Sequence, residues 1–157
     1  MIASKNTFPV LFPAALFAAL FLCAACSASR DRVADGYFTA EAAEYDSHGW
    51  KEFVSLYMNN GRIITVEYNA KNASGFIKSW DMDYMRRMNA KDGTYPNRYT
   101  RTYALALLNR QHPGRIDALA GATESWHAFR LLAAAAMVQA EKGDKRTALV
   151  EIPGQKE

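Results

Sequence analysis

Three rhythms of apolar residues divide this chain. The first is nearly unbroken: Phe8, Val10, Leu11, Phe12, Leu16, Phe17, Leu20, Phe21 and Leu22 crowd a stretch in which Lys5 is the sole charge before Arg30. A basic start followed by an apolar core is the anatomy of an export signal. The second rhythm is two-fold. Val54, Leu56 and Met58 alternate with Phe53, Ser55 and Tyr57, and Ile64, Val66 and Tyr68 alternate with Ile63, Thr65 and Glu67, as in half-buried strands. Asn59-Asn60-Gly61 lies between the runs, and Asn and Gly tolerate the positive φ that hairpin turns need. The pattern predicts a hairpin, Trp50–Met58 with Arg62–Asn69, preceded by a strand over Asp35–Ala42 that opens from a turn.

The third rhythm is helical. After a polar loop from Asn72 to Ser79, the segment Asp81–Ala90 puts Met82, Met85 and Met88 on one face, and with Trp80 and Tyr84 these are expected to fill gaps in the core. Asp92-Gly93-Thr94-Tyr95-Pro96 breaks this helix. A second follows over Tyr99–Gln111, with Tyr103, Ala106 and Leu107 inward, and Pro113-Gly114 ends it. Ala120-Gly121-Ala122 forms a tight turn before a long helix, Glu124–Lys142, whose stripe of Trp126, Phe129, Ala133, Ala136, Met137 and Ala140 should be buried. Gly143 suits the position just past its end, and Ala148-Leu149-Val150 suits an edge strand. Strands first and helices later predict an α+β fold, a small antiparallel sheet packed against helices, as a single domain after the signal peptide.

Length and charge narrow the classes. A chain of 157 residues accommodates one domain. The polar switch after Cys26, with Ala24-Ala25 just before it, resembles the processing site of bacterial lipoproteins and implies lipidation at Cys26. Cys23 stands where that pattern usually has Leu, and as a site in its own right it follows the bulky Leu22. An uncleaved transmembrane anchor is the rival reading, since roughly 20 apolar residues span a bilayer; Pro9 and Pro13 weigh against it. The expected division is residues 1–25 as lipoprotein signal peptide, 26–34 as tether and 35–157 as the working domain, exported and lipid-anchored to face the periplasm or the cell exterior. Acyl chains contribute about 0.8 kcal/mol per buried methylene, so several on one residue hold a domain to a membrane. Both cysteines lie in the leader, which leaves the domain without a disulfide framework or thiolate metal site. Losing the leader removes one basic side chain from the 19 basic and 16 acidic of the chain, and with no basic run longer than Arg86-Arg87 nucleic-acid binding is not expected.

The stretch Asp117-Ala118-Leu119-Ala120-Gly121-Ala122-Thr123-Glu124-Ser125 carries the candidate chemistry. It puts a Gly where backbone must approach something closely, then a hydroxyl at the mouth of a helix whose first amides are unpaired and whose dipole favours an anion such as phosphate. The structural alternative is that Gly121 makes the turn and Thr123 caps the helix.

Here the sequence resembles the FMN-binding domain of flavoprotein subunits in sodium-pumping and related membrane redox complexes, and of exported electron-transfer lipoproteins. The signature is Asp117, Gly121-Ala122-Thr123 and Ser125. The lipoprotein branch is also similar through Tyr45-Asp46-Ser47-His48-Gly49-Trp50-Lys51, Asn60-Gly61-Arg62-Ile63, Asn72-Ala73-Ser74-Gly75 with Lys78-Ser79, and Tyr84-Met85, so the likeness spans about residues 35 to 142. It implies FMN as cofactor, joined by a separate flavin transferase through a phosphoester to Thr123. The domain is then the substrate of that transferase, since a Thr hydroxyl without an activating base is a weak nucleophile. Ala120 stands where covalently modified members commonly have Ser or Thr, which bears on covalency more than on flavin binding. Asp117 either serves recognition by the transferase or hydrogen-bonds the turn. For the flavin ring the candidates are Gly75, which allows close approach, and Tyr84, Met85 or Trp80 on a ring face, with Lys78 either neutralising negative charge or solvated at the surface. Membrane redox donor and acceptor proteins are the implied partners of an electron carrier.

Other constellations are weaker. Asp117, Ser125 and His127 lack a nucleophile-elbow pattern, and residues two apart on a helix do not face each other. His48 and His112 show no ligand spacing. The alternative function, from a different class, is a surface lipoprotein that keeps the fold as a binding or antigenic module without flavin.

Overall fold

The computed structural model describes residues 33–154; the export signal and Cys26 lie outside them. Strands β1 (Gly36–Ala42), β2 (Lys51–Asn59) and β3 (Arg62–Lys71) form an antiparallel meander, and β4 (Ala148–Val150) joins the free edge of β1 in parallel, giving the order β3-β2-β1-β4. The fold is α+β as expected, and the expected edge strand at Ala148–Val150 is present, though it pairs in parallel. The β2–β3 turn is tight because Asn60 and Gly61 both take positive φ, 49° and 72°.

One register detail departs from simple alternation. Tyr57 pairs with Thr65 but Met58 pairs with Ile63, so Ile64 is an extra residue in β3. Ile63 therefore turns inward at 3% exposure while Ile64 is turned out at 45%. The expected grouping of Ile64 with Val66 and Tyr68 is thus corrected by the bulge. Gln111 holds it, its Oε1 accepting from the Ile63 N–H (2.8 Å) and its Nε2 donating to the Ile63 carbonyl (3.0 Å).

Helices α1 (Met82–Asp92), α2 (Pro96–Arg110) and α3 (Thr123–Lys142) follow the meander. Asp81 caps α1 by accepting from the Tyr84 N–H at 2.8 Å, and left-handed Gly93 and Gly143 stop α1 and α3. α3 packs across β1 and β2, and α2 across β3. Ala133, Ala136 and Ala140 are fully buried, and their small side chains let α3 approach the sheet closely enough for Phe129 and Leu132 to meet Phe38, Val54 and Leu56. Each such large side chain contributes about 1.5–3 kcal/mol when removed from water. Tyr99, Tyr103 and Leu107 of α2 complete this core. The chain is already docked at Val33 and Ala34, the Ala34 N–H donating to the Ala140 carbonyl at 2.9 Å.

α1 does not enter the core. None of its residues is fully buried, Met82 is 58% exposed and Trp80 65%, with only Met88 packing partly against the interior. The expectation that Trp80 and the methionines fill core gaps is therefore overturned. The sheet is already covered by α2 and α3, and α1 stands beyond them as a wall.

Candidate functional site

That wall closes one side of a cavity of about 1000 Å³, within the range of small-molecule sites. Opposite α1 stand the Gly121–Thr123 turn and the first turn of α3, and Glu52 and Lys78 lie deeper. The turn is held rigidly by two phenols. Tyr103 Oη donates to the Ala122 carbonyl (3.1 Å) and accepts from the Leu119 N–H (3.0 Å); Tyr68 Oη donates to the Ser125 carbonyl (2.9 Å). Trp126 Nε1 adds a bond to the Ile116 carbonyl at 2.7 Å.

Gly121 has φ of 78°, and a Cβ there would run into the carbonyl oxygen of Asp92. The close approach foreseen for this Gly is thus to the end of α1, and it ties the turn to the wall of the cavity. Ala122, not Thr123, is the N-cap of α3, and no side chain caps the helix. Thr123 is instead the first helical residue, exposed on the cavity rim, and its hydroxyl makes no hydrogen bond among the described residues. The capping alternative for Thr123 is therefore set aside. A free hydroxyl stands beside helix amides that have no side-chain acceptor, a setting that suits a phosphate.

Lys78 is not a solvated surface lysine. It is 5% exposed, with its Nζ 3.7 Å from Asp46 Oδ2, 5.0 Å from the centre of the Tyr84 ring and 5.9 Å from that of Trp50. Burial works to discharge it, but Tyr99, Glu52, Tyr84 and Asp46 outweigh burial and raise its pKa above the ordinary lysine value, so it is a fixed cation. Asp46 is oriented by accepting the His48 and Trp50 N–H groups on Oδ1, at 2.9 and 2.8 Å.

Of the residues singled out from sequence, Gly121, Ala122, Thr123, Ser125, Lys78 and Tyr84 line this one cavity. Asp117, Gly75 and Met85 do not. Asp117 is exposed and makes no hydrogen bond to the turn. Gly75 completes an exposed turn organised by Asn72 Oδ1, which accepts from Ser74 and Phe76, and Met88 takes the lining place expected of Met85.

Sequence reasoning missed Glu52. This carboxyl is 4% exposed; Oε1 accepts from Ser125 Oγ at 3.1 Å, and Oε2 has no partner among the described residues. Burial pushes its pKa up to about 7, eased by the Lys78 charge, by the hydrogen bond from Ser125 and by the nearby Tyr68 phenol. The signal was present: Glu52 falls in phase with Val54, Leu56 and Met58 on the buried face of β2. A buried carboxyl, a buried cation, the Tyr84 ring and a helix N-terminus with a free hydroxyl together suit an anionic, ring-bearing ligand. FMN fits that description. Among the described residues no three His, Cys, Asp or Glu side chains converge as a metal site.

The fold and cavity define a small α+β domain with a cleft at the mouth of its longest helix, and comparison relates it to a protein named as a lipoprotein. The chain belongs to the same family as the 15 kDa lipoprotein of Treponema pallidum, to which it is 36% identical over 124 residues, 79% of this chain and 86% of that one. A Clostridium perfringens protein of known crystal structure shares the fold with a TM-score of 0.73 and 33% identity, over 76% of this chain and 98% of its own. No protein-family model matches the chain, so the likeness to FMN-binding domains rests on the motif residues themselves.

Proposed function

We propose that this protein is a membrane-tethered, extracytoplasmic flavoprotein that carries FMN in the α1–α3 cavity, phosphoester-linked to Thr123, and shuttles electrons between membrane redox partners. The observation that carries the reading is the free Thr123 hydroxyl at the uncapped mouth of α3, on the rim of a cavity that also holds buried Lys78 and Glu52. The α3 amides would receive the phosphate, and Lys78 with Tyr84 would bind the ring system. FMN, when bound, supplies the reversible uptake of electrons, and the protein supplies orientation and charge.

Attachment calls for a flavin transferase. The Thr123 oxygen forms a bond to the FMN phosphorus, an activated phosphoanhydride bond of the donor breaks, its leaving group takes the electron pair and the hydroxyl proton passes to a base. Among the described residues no histidine or carboxylate is bonded to Thr123, so the base would come from the transferase. Asp117, exposed near the turn, is free to be recognised by that enzyme. Lipidation at Cys26 would hold the carrier at the membrane, as the relative's name, lipoprotein, supports.

That name favours a second, coarser reading: a surface lipoprotein that uses the fold as a binding or antigenic module without flavin. Intact mass and in-gel fluorescence of the domain co-expressed with a flavin transferase separate the two. The flavoprotein reading expects the added mass of one FMN less water and fluorescence under denaturing conditions, both lost in Thr123→Ala. A colourless native protein of unmodified mass would leave the flavin-free lipoprotein.

A further inference from the structure

Glu52 is placed where a carboxylate is hard to keep charged, in the inner lining of the cavity. It is buried, it has one oxygen bonded to Ser125 and one without a partner among the described residues, and it lines the cavity that Thr123 and Lys78 line. A buried carboxyl with a free oxygen is either an unmet acceptor or a place for a proton. Five elements face it with polar or charged groups: Asp46 from the β1–β2 connection, Tyr68 from β3, Lys78 from the 3₁₀ turn Lys78–Trp80, Tyr99 from α2 and Ser125 from α3. Lys78, Ser125 and Tyr68 favour its charged form, while burial and Asp46 oppose it. The balance leaves it at about 7, poised between its two states near neutrality.

We infer that Glu52 is the proton-exchanging residue of this cleft, taking up one proton when the redox ligand held beside it gains electrons and releasing it when that ligand is reoxidised. The inference rests on the flavin reading above. Negative charge arriving in the cavity raises the proton affinity of a nearby carboxylate, and a carboxyl that is half-titrated near neutrality responds at working pH. The electrons come from the membrane donor; the proton comes from solvent through the open cavity and forms an O–H bond at Oε2. Reoxidation by the acceptor returns both. This proton is additional to any that the ligand itself binds.

Two measurements test it. The first is the midpoint potential of the FMN-loaded protein between pH 5.5 and 8.5, for wild type and Glu52→Gln. Gln keeps the shape and the bond from Ser125, and thermal unfolding checks that the variant is folded. Wild type is expected to take up one more proton per two electrons around neutrality, a slope steeper by about 30 mV per pH unit. The second is an infrared carboxyl titration of the flavin-free Thr123→Ala protein, in which a band absent from Thr123→Ala/Glu52→Gln is expected to titrate near neutrality. Equal slopes in fully loaded wild type and Glu52→Gln overturn the inference, as does a Glu52 band that titrates with ordinary surface carboxylates. A protein that never takes up flavin overturns the coupling together with the functional reading, and the infrared titration then tells that failure apart from a misread Glu52.

Discussion

At the scale of single residues, the buried carboxyl on β2 ties the stability of the domain to pH. Folded Glu52 holds its proton up to about 7, whereas the unfolded side chain releases it near 4.5. Between those values the folded state binds more protons, so the stability present at low pH is lost as pH rises through this window, by about 3 kcal/mol. Glu52→Gln should abolish that loss. Chemical unfolding at pH 5 and pH 7.5 checks it: the wild-type midpoint should drop with pH well beyond that of the variant, and parallel drops would assign the effect elsewhere. Gly121→Ala acts through backbone, since φ of 78° and the Asp92 carbonyl leave no room for a Cβ. It is expected to cost about 1–3 kcal/mol and to shift α1 away from the turn, lowering both the unfolding temperature and ligand uptake. Thr123→Ala is the contrast. Its hydroxyl caps nothing, so stability should change by less than about 0.5 kcal/mol while covalent flavin is lost.

At the scale of elements, the start of α3 is fixed by side chains from elsewhere. Tyr103 on α2 bonds both the Ala122 carbonyl and the Leu119 N–H, clamping the turn from two sides. Tyr103→Phe removes both bonds at a buried position and should cost about 1–3 kcal/mol, with hydrogen exchange at Leu119 accelerated relative to the α3 interior. Unchanged exchange at Leu119 would show that the turn is held without the phenol. These clamps were not legible in the sequence, because a Tyr at an inward helical position reads only as core. The elements themselves were legible, through local chemistry: Asn60-Gly61 for the hairpin, Asp81 and Gly93 for the ends of α1, Gly143 for the end of α3. The Met82, Met85, Met88 stripe misled, because helical spacing tells which residues share a face and not whether another layer covers it. The β3 bulge was hidden for a related reason, since its extra residue is defined by pairing with β2 and by Gln111, 48 residues away in the chain.

At the scale of the molecule, the cavity depends on pieces far apart in sequence, and this explains which of its residues a linear motif could reveal. Gly121, Ala122, Thr123 and Ser125 are neighbours along the chain and were recognisable together, whereas Glu52 arrives through the sheet. Among the described residues no helix is long and apolar enough to cross a membrane. The domain is docked from Val33 onward, and the stretch back to Cys26 can reach at most about 25 Å at roughly 3.5 Å per residue. A lipid at Cys26 would thus keep the start of the domain within that distance of the bilayer, as the proposed exchange with membrane redox partners requires. Cys26→Ser is expected to abolish incorporation of labelled fatty acid while leaving the unfolding temperature and the Thr123-linked flavin mass of the domain unchanged. Fractionation then reads the anchor: release into the soluble fraction assigns it to the acyl chains, whereas unlabelled protein that stays with the membrane assigns it to an uncleaved apolar leader.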